Sequence, residues 1–136
     1  MGLDMYLTGE KFFSSIGKDR PKDDEGYSIE KNVLELGYWR KHANLHGYIV
    51  ATFAEGKDDC QDIELDMEQL KALLEIVKDP SLMPKTEGFF FGESANDEEQ
   101  IKEDTEIITK AIGFLSAGLV KQDRDVWRSV HYRASW

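Results

Sequence analysis

The sequence predicts an α+β fold, a mixed and mostly antiparallel sheet with about three helices packed on it. Three observations carry that expectation. Apolar and polar residues alternate near the start (Leu3, Met5, Leu7) and again over 126–136, the period of half-buried strands. Between those ends, apolar residues recur every three or four positions in three stretches, the period of amphipathic helices. At 136 residues and 40% apolar content, the chain fits a single domain over 1–136.

Taken in order, the first strand runs to Phe12 and Phe13, where the alternation breaks. Residues 14–26 are polar, carry Pro21 and read as a surface loop. Val33 to Leu36 reads as a second strand stopped at Gly37. A helix is then expected to begin by Trp39, because Trp39, Ala43, His46, Val50 and Phe53 step by four, three, four and three. His42 and Ile49 fall beside that stripe, so both histidines belong to the core-facing side.

Cys60 to Leu65 is a weaker strand. Asp66 then caps a helix, with Gln69 placed to complete a capping box and Pro80 ending the segment. Its core face is Met67, Leu70, Leu73, Leu74 and Val77. Phe89, Phe90 and Phe91, bracketed by Gly88 and Gly92, suggest a central strand with apolar surface on both sides. Ser94 or Asn96 is expected to cap the third helix, whose stripe is Ile101, Thr105, Ile108, Ile112, Leu115 and Leu119, with Gly118 at its end. The last strand puts Val126, Arg128, Val130, Tyr132, Ala134 and Trp136 on one face, and Trp127, Ser129, His131, Arg133 and Ser135 on the other.

Charge narrows the function classes. The net charge is -10, and phosphate-backbone affinity depends on Lys and Arg, so direct nucleic-acid binding is not expected. The acids cluster: residues 55–68 hold seven against Lys57, and 93–106 hold seven against Lys102. Such clusters read either as a solvated face or as a surface that steers a basic protein partner. The candidate contacts are Asp58, Asp59, Asp62, Glu64, Asp97, Glu98 and Glu99. A charged share of 32%, with no apolar run near the ~18 residues of a membrane helix, points away from the membrane. The start, Met-Gly-Leu-Asp-Met-Tyr-Leu, lacks a signal peptide's basic flank, and Tyr6 stands where a myristoylation signal needs Ser or Thr. A single cysteine, Cys60, excludes an internal disulfide and suits a reducing cytoplasm.

Two chemical constellations stand out. His42 and His46, one helical turn apart, can approach one metal ion, with Cys60 or His131 as a further ligand beside Asp58, Asp59 or Asp62. They lack the Glu of a His-Glu-x-x-His hydrolase, and buried histidines satisfied by neighbours explain the same spacing. Trp39, Arg40, His46 and Tyr132 are candidates to line a small-ligand pocket, against plain aromatic packing. Acids around Cys60 oppose a reactive thiolate, and no Gly-x-Ser-x-Gly elbow appears, so no catalytic residue and no particular cofactor is indicated.

Several blocks are similar to those of a family of small uncharacterised proteins carried by bacteriophages and prophage-bearing bacteria. They are Met-Gly-Leu-Asp-Met-Tyr-Leu at 1–7, Gly-Tyr-Trp-Arg-Lys-His-Ala-Asn-Leu-His-Gly-Tyr-Ile-Val at 37–50, Asp-Asp-Cys-Gln at 58–61, Gly-Phe-Phe-Phe-Gly at 88–92 and Ser-Val-His-Tyr-Arg-Ala-Ser-Trp at 129–136. Ala43 and Arg133 depart from the proline and glutamine of some relatives. The resemblance implies a phage setting, in the host cytoplasm, and no mechanism. Together with the clustered acids, it suggests an accessory protein that binds a macromolecule, such as an acidic inhibitor of a host nucleic-acid-handling or defence enzyme. The alternative is a ligand- or metal-binding domain centred on Trp39, Arg40, His42 and His46.

Overall fold

The computed structural model describes residues 2–14, 20–83, 97–121 and 126–136. Four strands form one sheet: β1 (Asp4–Phe13), β2 (Lys31–Arg40), β3 (Ile63–Leu65) and β4 (Val126–Ser135). Their order is β2-β1-β4-β3, and every pairing among the described strands is antiparallel, in line with the expected mostly antiparallel sheet carrying three helices. The helices are α1 (Ala43–Phe53), α2 (Met67–Lys78) and α3 (Glu98–Lys121), with a 3-10 turn at Pro80–Leu82. The expected strand at 88–92, and Ser94 and Asn96, lie outside the described residues.

The first strand pair forms a long hairpin. Its connection turns at Asp23, whose side chain accepts from the backbone N–H of Glu25 and Tyr27, while Gly26 takes a φ of +89°. β2 is longer at both ends than the sequence suggests and carries Trp39 and Arg40 as strand residues. The helical stepping from Trp39 therefore misreads its first member. A bulge at Leu36 is the reason: Leu7 pairs with Gly37 while Thr8 pairs with Glu35, leaving one extra residue on β2. The bulge turns both Leu36 and Gly37 toward the helices. A Cβ at Gly37 would collide with the Ile107 side chain of α3, so glycine lets that helix sit close to the sheet.

α2 begins as the sequence says, with a complete capping box between Asp66 and Gln69, and it buries Leu70, Leu73 and Val77. α3 is capped by Asp97, whose side chain accepts from the N–H of Gln100 at 2.9 Å. It also runs past Gly118 to Lys121. Its buried residues are Asp104, Ile108 and Ala111, spaced by four and three, whereas Leu119 is exposed. β4 keeps both predicted faces: Val130, Tyr132 and Ala134 are buried.

All described helices pack on one face of the sheet. The core between the two layers joins Leu3, Met5, Leu7, Trp39, Leu45, Ile49, Leu65, Leu70, Leu73, Ile108, Val130 and Tyr132. The opposite face has no described helix over it. No helix among the described residues is long and apolar enough to cross a membrane.

Candidate functional site

The helix side of the sheet holds a buried polar network. Trp39 donates its indole N–H to Asp104 Oδ1 at 2.7 Å, and Gln100 donates to the same oxygen at 2.8 Å. His42 Nε2 lies 2.7 Å from the other carboxylate oxygen. A carboxylate only accepts, so Nε2 carries the proton and donates. Asp104 and His42 are each 1% exposed, so the pair is shielded from water and its breakage would strand a buried charge.

The second histidine turns elsewhere. His46 Nε2 lies 3.0 Å from both oxygens of Asp58, and Nδ1 lies 2.6 Å from the hydroxyl of Tyr132. Nε2 donates to the carboxylate, and the Tyr132 hydroxyl, which can donate or accept, closes the bond to Nδ1. Burial pushes the Tyr132 phenol far above its ordinary range, so it keeps its proton. The Trp136 ring meets His46 edge-on at 5.4 Å. Within these buried groups every described side-chain N and O has a partner.

This arrangement places the residues of both the metal and the pocket alternative. The two histidines address different carboxylates, Cys60 is exposed on a separate loop, and no described group of three His, Cys, Asp or Glu residues can hold a metal ion. The His42, His46, Cys60 site is therefore not assembled. The pocket of Trp39, Arg40, His46 and Tyr132 is not assembled either. Trp39, His46 and Tyr132 are packed inside the core, and the strand's alternation sends Arg40 to the opposite, exposed face. Their chemistry is spent on holding α1 and α3 to the sheet.

The helix-free face offers something different. Along β1 its rows run Asp4, Tyr6, Thr8, Glu10 and Phe12; β2 supplies Arg40, Tyr38, Glu35, Val33 and Lys31, and β4 supplies Ser135, Arg133, His131, Ser129 and Trp127. Tyr6 and Tyr38 form a tilted ring pair 5.4 Å apart, and Tyr38 donates its hydroxyl to Asp4, which pushes the phenol's pKa up. Both tyrosines stay more than a third exposed. Arg20 lies over the Phe12 ring at 5.7 Å.

A broad open cleft of about 900 Å³ lies on this face, among Tyr6, Glu10, Lys31, Cys60, His131 and Arg133. His131 sits within it between two carboxylates: Nδ1 is 2.8 Å from Asp62 and Nε2 is 2.6 Å from Glu10. Only a ring protonated on both nitrogens donates to both. Lys31 bonds Glu10 at 2.8 Å and holds that carboxyl below its ordinary range. Ser129 Oγ is 2.7 Å from His131 Nε2, so Ser129, His131 and Asp62 have triad-like distances. The chemistry differs. Glu10 occupies the nitrogen that would take a serine proton.

The loop before β3 links the two faces. Asp58 holds His46 on the helix side, and Asp62 holds His131 on the open side, so residues 58–62 wrap the sheet edge between two His–Asp pairs. Cys60, at φ +59°, forms the bend. Of the acids expected to face a partner, Asp58 and Asp62 are thus engaged within the chain and Asp97 caps α3. Asp59, Glu64, Glu98 and Glu99 are exposed. Sequence reasoning missed Asp104, Glu10 and Lys31. Asp104 was findable: it lies four residues before Ile108, inside the apolar stripe of α3. The pairing of Glu10 with Lys31 and His131 left no signal, because it arises from strand register.

No protein-family model, no curated protein and no solved structure matches this chain.

Proposed function

We propose that the protein is a binding module that engages a protein partner through the helix-free face of its sheet. One observation carries this reading: Tyr6, Tyr38 and Val33 are exposed together there, with Arg40 and Arg133 beside the two tyrosines by register. Exposed Tyr and Arg around an apolar centre is the composition that carries binding energy at protein interfaces. The salt-bridged Glu10, Lys31, His131 and Asp62 fix the neighbouring surface without presenting a single sign of charge.

The acids contribute at longer range. Asp59, Glu64, Glu98 and Glu99, on a chain of net charge -10, favour a partner with a basic surface and speed its approach. A phage accessory protein that inhibits a host nucleic-acid-handling or defence enzyme fits this reading, since such enzymes carry basic grooves. Carboxylates there stand in for phosphates.

The test is a pull-down from nuclease-treated bacterial lysate, comparing the native chain with Tyr6→Ala/Arg133→Ala and with Asp59→Lys/Glu64→Lys. The reading expects one basic protein, lost with the first variant and captured more slowly with the second. Capture indifferent to Tyr6 and Arg133, or undiminished between low and high salt, would overturn it.

A further inference from the structure

We infer that the outer edge of β2 pairs with β2 of a second copy of this chain, giving a two-fold dimer with one continuous antiparallel sheet. β2 is an edge strand, and its first five residues, Lys31, Asn32, Val33, Leu34 and Glu35, are all exposed. Val33 is 57% exposed and Leu34 38%, on opposite faces of the strand. The edge carries Lys31 and ends at the Leu36 bulge, and no proline interrupts its five residues.

The backbone says which groups are available. Phe13 N–H donates to Glu30 O, which sets the phase of the hairpin ladder. Asn32 and Leu34 then point their N–H and C=O toward β1, and Lys31, Val33 and Glu35 point theirs outward. Among the described residues nothing meets those outward groups. The bulge at Leu36 breaks this phase, so the free edge is a discrete five-residue segment.

That segment is complementary to itself. Turned antiparallel about Val33, it places Val33 opposite Val33 of the second copy. Lys31 of each chain then stands opposite Glu35 of the other, on the open face. Asn32 stands opposite Leu34 on the helix side. Each of the outward residues exchanges both its N–H and its C=O across the two-fold axis, an isologous contact that closes on itself. Glu35, which makes no ion pair among the described residues, faces Lys31 of the other copy, whose ammonium also bonds Glu10 of its own chain; like charges never face each other. Shifting the register by two residues breaks both ion pairs, so charge selects this alignment over its neighbours.

Sedimentation equilibrium of the full chain tests the inference. A concentration-dependent dimer is expected, with Val33→Pro weakening it at least about tenfold, since proline removes an outward N–H and leaves the β1 side intact. Glu35→Lys is expected to weaken it by placing lysines face to face, and Glu35→Gln, which only removes the charge, to weaken it less. In a Cys60→Ser background, Val33→Cys should oxidise to a disulfide-linked dimer and Asn32→Cys should not. A monomer at every concentration, or a dimer that Val33→Pro leaves unchanged while circular dichroism shows a native fold, would overturn the assignment.

Discussion

Trp39 and Asp104 are 65 positions apart in the chain, and an indole N–H···carboxylate bond of 2.7 Å joins them in the interior. The bond ties the end of β2 to the middle of α3. His42, just before α1, shares the same carboxylate, so one buried acid gathers three elements.

Asp104→Ala should therefore destabilise strongly. It leaves the Trp39, Gln100 and His42 donors without their acceptor, and breaking a buried pair of this kind costs roughly 3–5 kcal/mol. Urea unfolding followed by fluorescence checks this, with the exposed Glu106→Ala as a control expected within about 0.5 kcal/mol of the native chain. Equal midpoints for the two variants would contradict the network's role.

Alkaline stability should depend on Tyr132. Its folded-state pKa is raised by burial above the ordinary 10.0, so the folded state keeps a proton that the unfolded state releases. That contribution is fully present below pH 10 and declines as pH rises beyond it. Tyr132→Phe should flatten the alkaline limb of a stability–pH curve while costing about 1–3 kcal/mol at neutral pH, because the hydroxyl partner of His46 is gone. An unchanged alkaline limb would argue against the buried phenol.

At the acid end, Glu10 acts in the opposite sense. Its folded-state pKa lies below the ordinary 4.5, with the Lys31 hydrogen bond as the largest cause and His131 adding to it. Stability from this carboxylate is present above pH 4.5 and is lost as pH falls below that value. Lys31→Met should raise the Glu10 titration midpoint seen by carboxyl NMR shifts. The effect on stability is small, since the lysine is solvent-exposed.

Gly37→Ala should cost about 1–3 kcal/mol through overpacking, as the new methyl meets Ile107 on α3. Ile107→Ala in the same chain should recover part of that loss, which a thermal-melt double-mutant cycle would read as coupling. Purely additive losses would mean that α3 does not rest on this glycine.

Much of the fold was legible because periodicity is a local property. The alternation of 126–136, the Asp66–Gln69 capping box and the Leu70, Leu73, Val77 face are written in neighbouring residues and reappear unchanged. The start of α1 was not legible in this way. Trp39 fits the helical period but not an unbroken strand period from Leu36, because the bulge there shifts the alternation by one residue; the pairing of Asp4 with Arg40 shows it as strand.

The candidate site was harder to read for the same reason. The sequence by itself determined that His42 and His46 face the core, that the chain is strongly acidic, and that both faces of the last strand carry functional-looking side chains. Tertiary structure decided what those groups do. It sent His42 to Asp104, His46 to Asp58 and Tyr132, and set His131 between Asp62 and Glu10. Helical and strand periods fix the face a residue occupies. The partner it meets there depends on register and on how closely α3 lies on the sheet, and those are set by a bulge at Leu36 and a missing side chain at Gly37.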